Sequence, residues 1–250
     1  MLGYGFANFY AITALPDATA VRAVNLLKGR PADQVGSITT TPSRLVDAYD
    51  WSQLPAGFTR SQALAVMDAM LTLGPFGFRG PAAAELPPHL TQNDGGVRTT
   101  QVITPGYACP SNALLGLALR LADSDYLFIT SANRSRHTTG ATEEPAQHTA
   151  SGLLQDFGAV PEFVLLRHRS DAEARSRYPA FAPMSTSILA LHRLATTPAG
   201  RPALVLERHG SLTVDAVRKV LHPLDLDVVL GPRARTRLPQ HTEASTAGHR

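Results

Sequence analysis

Two short polar segments carry residue types that can hold anionic groups. Lys28-Gly29-Arg30-Pro31 places a compact ammonium and a planar guanidinium on either side of a glycine. Thr130-Ser131-Ala132-Asn133, far along the chain, offers two hydroxyls and an amide. Together they predict a fixed cationic pocket facing a polar loop, which suits phosphates and a carboxylate. Each segment alone also fits a local role, as charge complementation at a helix end or as a capping turn.

Three further residues could contact phosphate. Ser185 and Thr186 begin a predicted strand, and hydroxyls there serve either as phosphate ligands or as turn residues. Arg208 ends another predicted strand just before His209-Gly210, where a guanidinium could reach a triphosphate. An ordinary surface arginine is the alternative for Arg208.

The surrounding periodicity predicts elements that position these side chains. Apolar spacing predicts a helix over residues 17–28, which Gly29 ends, so that Lys28 and Arg30 flank a sharp stop. The apolar run at 126–129 predicts a strand buried on both faces, with Thr130–Asn133 directly after it. Ligands of open α/β sheets gather beyond the carboxyl ends of strands.

The remaining pattern predicts a mixed α/β sheet, because several strands are separated by loops alone. Residues 79–100 are rich in glycine, proline and polar residues and predict loops and edge strands. The other predicted helices cover 43–49, 59–71, 112–122, 153–157 and 213–221, and the other predicted strands cover 36–41, 163–166, 186–191 and 203–206.

Composition excludes several classes of protein. The 250 residues contain one cysteine, Cys109, so an internal disulfide is excluded. No apolar run approaches the ~20 residues of a membrane span and no secretory signal is visible, which predicts a cytoplasmic protein without a membrane partner. The sequence lacks the motifs of phosphate-binding loops, dinucleotide-binding folds and zinc sites, so we expect no protein metal site. Late arginines leave nucleic-acid binding open, although no aromatic residues interleave them.

The ordered set of motifs resembles the YrdC-type threonylcarbamoyl-adenylate synthases. The set consists of Lys-x-Arg-Pro after the first helix, Gly-Pro-Phe near residue 75, Thr-Ser-Ala-Asn, Ser-Thr before a strand, and Leu-Glu-Arg-x-Gly before the last helix. The similarity runs from about residue 7 to residue 221. It implies one twisted α/β sheet with a concave cationic cavity over residues 1–222, and we expect residues 223–250 to form a disordered basic tail.

The resemblance also implies a reaction. L-threonine, bicarbonate and ATP are joined into threonylcarbamoyl-AMP with release of pyrophosphate, and the product is used for the t6A modification of tRNA. The expected macromolecular partner is tRNA or the tRNA-modifying transferase complex. Lys28 and Arg30 would be the catalytic pair that binds phosphates and the carboxylate-bearing intermediate. Magnesium would accompany ATP, and the residues that would bind substrate and ATP are Thr130, Ser131, Asn133, Ser185, Thr186 and Arg208.

The chain departs from the family pattern at two places. Tyr4-Gly5-Phe6-Ala7 and Phe9-Tyr10 replace a Pro-Thr-Asp/Glu-Thr turn and an aromatic-Gly pair, and we expect the first strand to be almost absent. Ile103-Thr104-Pro105 replaces an Arg-x-Pro, and Arg79 and Arg98 are candidates to compensate.

These departures keep two alternatives to the synthase open. One is a diverged relative that binds nucleotide or double-stranded RNA without synthesis. The other is an enzyme that forms a carbamoyl-adenylate for a different acceptor.

Overall fold

The computed structural model describes residues 1–135 and 144–240. The helices are α1 (Ala18–Leu27), α2 (Arg60–Leu73), α3 (Ser111–Leu121), α4 (Ala150–Phe157), α5 (Asp171–Arg177) and α6 (Val214–Leu221). The strands are β1 (Leu2–Phe6), β2 (Phe9–Ala14), β3 (Ser37–Thr39), β4 (Phe76–Pro81), β5 (Gln92–Asp94), β6 (Val97–Thr104), β7 (Leu127–Ser131), β8 (Val164–Leu166), β9 (Ile188–Thr196), β10 (Pro202–Arg208) and β11 (Asp227–Leu230).

These strands form one mixed sheet. Its order is β11-β10-β9-β4-β6-β3-β7-β2-β1-β8, with β5 paired to β6. The pairs β1–β8, β3–β6, β4–β9 and β10–β11 are parallel and the others are antiparallel. The predicted single α/β sheet with parallel and antiparallel neighbours is therefore confirmed.

Helix ends follow the residues that the sequence provides. Asp17 caps α1 by accepting a hydrogen bond from the Ala20 amide at 2.8 Å, and Gly29 ends the helix region with φ of 74°. Thr59 and Gln62 form a reciprocal capping box at the start of α2. The helix predicted near residues 43–49 is a 3₁₀ helix, Pro42–Ala48. None of the helices in the described ranges is long and apolar enough to cross a bilayer.

The expectation that the first strand would be almost absent is wrong. β1 and β2 form a complete antiparallel hairpin, from the Leu2–Thr13 pair to the Phe6–Phe9 pair. Ala7 adopts a left-handed φ of 54° at the turn, and the Asn8 side chain donates to the Phe181 carbonyl at 2.8 Å. A threonine-rich turn is therefore not needed to form this hairpin.

The segment predicted as loops and edge strands contains a central strand. β6 lies between β4 and β3, and β5 pairs with it outside the main strand order. Thr99 and Thr100 are fully buried there, and their hydroxyls donate to the carbonyls of Gln92 and Leu90 at 3.1 and 3.0 Å. Internal hydrogen bonds thus allow a polar-looking sequence to occupy the middle of the sheet.

The tail predicted as disordered begins within ordered structure. β11 pairs in parallel with β10, and Pro232–Ala234 forms a short 3₁₀ helix after it. The apolar run Val228-Val229-Leu230 extends the sheet, with Val228 buried. The predicted boundary at residue 222 is therefore wrong for residues 223–240, and residues 241–250 lie outside the described part of the chain.

Candidate functional site

One face of the sheet forms the floor of a cavity of about 600 Å³. Directly paired residues of neighbouring strands project to the same face. The next register position, Phe78 with Val102, faces the opposite side, and both residues are fully buried. The strand pairs that line the cavity are Arg79 with Gln101, Ser37 with Ile129, Ala11 with Ser131, and Gln92 with Thr99.

The two segments singled out in the sequence converge at one end of this cavity. The Lys28 ammonium donates to the Ser131 carbonyl, to the Asn133 carbonyl at 2.7 Å and to Asn133 Oδ1 at 3.2 Å. The Ser135 amide returns a hydrogen bond to the Lys28 carbonyl at 2.6 Å. The end of α1 and the loop after β7 are therefore joined directly.

Lys28 itself is enclosed in this junction. Its exposed fraction is 1%, and it is not among the described residues that line the cavity. Its ammonium holds the backbone of the Ser131–Asn133 loop in place. The described contacts therefore give Lys28 a positioning role under the loop.

Arg30 extends from the same helix end into the cavity. Its Nη1 donates to Thr130 Oγ1 at 2.7 Å, and both residues line the cavity. Beside them, Ser131 Oγ donates to Asn133 Oδ1 at 2.5 Å. Hydroxyl, amide and guanidinium groups thus share one wall.

A second wall is formed by the segment before β9 and the end of β10. Arg208 donates from Nε to the Thr186 carbonyl at 2.6 Å and from Nη2 to the Thr186 hydroxyl at 2.9 Å. The Ser211 amide donates to the Ser185 carbonyl at 2.8 Å. A side chain at Gly210 would collide with the Ser185 carbonyl, so glycine is required for this close approach of two backbones.

The segment after β11 adds a third wall. Arg233, Leu238 and Pro239 line the cavity. Arg237 anchors the segment by donating to the carbonyls of Gly210 and Ser211 at 3.0 and 2.9 Å, and burial lowers the pKa of its guanidinium. This wall could not be predicted from the sequence, because the segment after β11 lacks apolar periodicity. Its contacts with the 209–211 loop are made through the backbone and one arginine.

His209 connects this third wall to α6. Its Nε2 accepts a hydrogen bond from the Val214 amide at 3.2 Å. Burial and the neighbouring Arg237 charge lower the pKa of His209, which favours the neutral ring that can accept this bond.

The cavity is strongly cationic. The described lining residues include four arginines and one acidic residue, namely Arg30, Arg79, Arg208, Arg233 and Glu144. All predicted site residues except Lys28 are among the lining residues: Arg30, Thr130, Ser131, Asn133, Ser185, Thr186 and Arg208. The arrangement is suited to an anion that contacts several walls at once.

Arg79, one of the two candidates to replace the arginine missing from the family pattern, lies on the cavity floor. Arg79 lines the cavity, whereas Arg98 donates to the carbonyls of Leu86 and Ala83 at 2.8 and 2.5 Å and does not line it. Ile103, at the position of the missing arginine, also lines the cavity. The only signal for Arg79 in the sequence is a charged residue in an otherwise apolar strand.

A cluster of ionisable groups lies beside Arg79. Atoms of Asp94, His192 and Glu207 lie within 4.8 Å of one another, as metal ligands would. Arg193 already contacts Asp94 Oδ2 at 3.2 Å and Glu207 Oε1 at 2.7 Å. Burial would raise the pKa of Asp94, but the His192 hydrogen bond and the arginine charges hold it below its usual range. The carboxylates are therefore engaged by guanidinium groups, and a cation would have to displace them.

Solved structures with the same fold are known. The crystal structure of P. abyssi Sua5 complexed with L-threonine aligns with a TM-score of 0.61 and 19% identity, over 91% of this chain and 55% of that one. A double-alanine variant of P. abyssi Sua5 aligns with a TM-score of 0.60 and 20% identity, over 92% of this chain and 57% of that one. The fold is therefore Sua5-like.

The likeness is one of fold. This chain spans a little over half of the length of those Sua5 chains. No protein-family model and no curated protein sequence matches it.

Proposed function

We propose that this chain is a threonylcarbamoyl-adenylate synthase that uses ATP, bicarbonate and L-threonine. The observation that carries the proposal is the convergence of the Lys28–Arg30 segment with the Thr130–Asn133 loop in one cationic cavity of a Sua5-like fold. The complex of P. abyssi Sua5 with L-threonine supports the choice of amino acid.

The proposed reaction needs no protein nucleophile. The threonine amine takes up bicarbonate with loss of water, and one carbamate oxygen then attacks the α-phosphorus of ATP while pyrophosphate leaves. The protein must align two anions that repel each other and stabilise the charge that develops on the phosphate. Magnesium bound to ATP would screen the phosphates.

The cavity walls divide these tasks. Arg30 and Arg208 are each fixed by a hydroxyl partner, Thr130 Oγ1 and Thr186 Oγ1, so their orientation is set before a ligand arrives. Such preorganised cations stabilise phosphate charge without reorganisation. The Ser131–Asn133 loop, held by Lys28, supplies hydroxyl and amide groups for the nucleotide.

A second candidate keeps the adenylate chemistry but changes the acceptor. Phe9 and Ala11 line the cavity from β2, close to the point where the family places its threonine-rich turn. Apolar groups there favour an acceptor other than threonine, because a threonine hydroxyl would lack a partner on that strand.

The proposal is tested by incubating the protein with ATP, magnesium, bicarbonate and L-threonine and measuring pyrophosphate. We expect release that requires both bicarbonate and threonine. Release that requires bicarbonate but not threonine favours the second candidate. ATP binding without pyrophosphate release, whichever acceptor is supplied, would contradict both enzyme proposals and favour a protein that binds nucleotide or RNA without synthesis. A product that supports t6A formation by a transferase complex would extend the proposal to tRNA modification.

Arg30→Met tests the site within this assay, with Arg22→Met as its matched control. Arg22 is exposed on α1, so its loss removes the same charge without reaching the cavity. We expect Arg30→Met to reduce pyrophosphate release by about 10- to 100-fold, the range for one lost charge-assisted hydrogen bond, and Arg22→Met to have little effect.

A further inference from the structure

A chain of hydrogen bonds crosses three strands of the cavity floor. Glu207 Oε2 accepts from Arg79 Nε at 2.7 Å, and Gln101 Oε1 accepts from Arg79 Nη2 at 2.8 Å. Gln101 Nε2 then donates to Ser37 Oγ at 2.7 Å. Arg79, Gln101 and Ser37 lie on the adjacent strands β4, β6 and β3, and all of them line the cavity.

The chemistry of the partners fixes the direction of every bond in this chain. A guanidinium only donates, so the Gln101 atom that faces Arg79 must be the carbonyl oxygen. The amide nitrogen of Gln101 therefore faces Ser37, whose oxygen accepts its hydrogen. The Ser37 hydroxyl hydrogen is left to point elsewhere, and the cavity is the open side.

Arg79 is likewise left with one donor nitrogen for a ligand. Nε and Nη2 are engaged, and no acceptor for Nη1 is found in residues 1–135 and 144–240. The side chain of Arg79 is 15% exposed and that of Glu207 is 13% exposed, so the pair is largely shielded from solvent. Glu207 is held in turn by Arg193, which fixes the guanidinium plane of Arg79 before a ligand arrives.

We infer that Arg79 Nη1 and Ser37 Oγ form a recognition subsite for an anionic group, either a carboxylate or a phosphate. Both groups present donors, and no acidic residue of the lining belongs to these strands. The inference rests on the proposed function, since the anionic ligand is taken to be a substrate of that reaction.

The subsite is separate from the Thr186–Arg208 wall. Arg79 pairs with Ala190 on β9, four residues beyond Thr186. Four residues of extended chain span about 13 Å. Arg79 and Arg208 are therefore anchored at different positions along β9, and a substrate with two anionic ends, or two substrates, can engage both.

The test compares Arg79→Met with Arg44→Met by titration calorimetry against ATP, inorganic pyrophosphate and L-threonine. Arg44 pairs with Asp125 at 2.7 Å, is 46% exposed and does not line the cavity, so each variant loses one ion-paired guanidinium. We expect Arg79→Met to weaken the binding of at least one of these ligands by about 10- to 100-fold, and Arg44→Met to weaken binding by less than about threefold.

The ligand whose affinity falls shows which anionic group the subsite binds. A selective loss of L-threonine affinity assigns the subsite to a carboxylate, and a loss for pyrophosphate and ATP assigns it to a phosphate. Equal affinities in the two variants, or no binding of any of these ligands by the unmodified protein, would overturn the inference.

Ser37→Ala provides an answer if Arg79→Met does not fold. It removes only a hydroxyl, and we expect the same ligand to weaken by about three- to tenfold, as for a neutral hydrogen bond. Unchanged affinity in Ser37→Ala and loss of structure in Arg79→Met together would count against the subsite. Failure of the proposed function is seen separately, as absent pyrophosphate release by a protein that still binds these ligands.

Discussion

Lys28 shows how a residue can belong to a site without facing the ligand. A buried ammonium is costly unless oxygens surround it, and here the carbonyls of Ser131 and Asn133 and the Asn133 side chain do so. The same contacts close the loop that carries Ser131 and Asn133 against α1. The shape of the cavity wall therefore depends on Lys28.

Lys28→Met should lower the stability of the protein. Methionine fills a similar volume but leaves buried carbonyls without a donor, so we expect the free energy of unfolding to fall by about 2 to 4 kcal/mol. Urea denaturation measures this change. Lys219→Met is the control, because Lys219 is exposed on α6, and it should change stability by less than about 0.5 kcal/mol. Equal midpoints for the two variants would contradict the positioning role.

At the scale of elements, the loop after β10 packs against the segment before β9 through backbone groups. Ser187 Oγ donates to the Leu212 carbonyl at 2.6 Å and accepts from the Gly210 and Leu212 amides at 3.1 Å each. Ser187 and Ser211 are fully buried. This junction sets the position of Arg208 relative to Thr186.

Gly210→Ala should disturb that junction. The added methyl group would meet the backbone oxygens of Ser185 and Thr186, which cannot move without breaking the junction. We expect a loss of about 1 to 3 kcal/mol in the free energy of unfolding, together with weaker ATP binding. Thermal unfolding and calorimetry measure the two effects. Gly116→Ala on α3 is the control, because its new methyl group would meet only Arg120, at 3.8 Å. ATP affinity should be unchanged in this variant, and the free energy of unfolding should be unchanged or slightly higher.

The loop before α6 should also make stability depend on pH. Burial and the Arg237 charge lower the pKa of His209 in the folded protein. Around and below about pH 6.5 the unfolded chain is therefore protonated at His209 to a greater extent than the folded protein. The free energy of unfolding should therefore fall as the pH is lowered from 7.5 to 5.5.

His209→Gln removes the titration and keeps an acceptor for the Val214 amide. Denaturation across this pH range should show a shallower slope in the variant than in the unmodified protein. His168, whose pKa is lowered mainly by burial, should supply part of the slope that remains. Identical slopes in the two proteins would argue against His209 as a source.

Local signals explain which elements the sequence could predict. Gly29, the apolar run before Thr130 and Thr213, whose side chain caps α6 by accepting from the Ala216 amide, each act within a few residues. The elements that they mark are present. β6 was not predicted, because its buried threonines find their hydrogen-bond acceptors, the carbonyls of Gln92, Leu90 and Thr40, only in the folded chain. The burial of Lys28 and the Arg79–Gln101–Ser37 chain likewise depend on strands that are distant in sequence.

At the scale of the whole molecule, the cavity is completed by the segment after the sheet ends. β11 pairs with β10, and the chain then turns back so that the Leu238 amide donates to the His209 carbonyl at 2.9 Å. This return brings Arg233, Leu238 and Pro239 to the same cavity as residues from the opposite end of the chain, such as Phe9 and Ala11. The walls of the site are therefore drawn from nearly the full length of the chain.

Removal of the returning segment should open the cavity. Truncation after Gly231 keeps β11 but deletes Arg233, Leu238 and Pro239, so we expect ATP affinity to fall by about tenfold or more, since one guanidinium and an apolar wall are lost. Truncation after Gln240 is the matched control, because it removes only residues outside the described chain and should preserve affinity. Circular dichroism establishes that both proteins are folded, and calorimetry compares their ATP affinities. Equal affinities would show that the third wall contributes nothing to nucleotide binding, whereas an equal loss in both would place the contribution beyond residue 240.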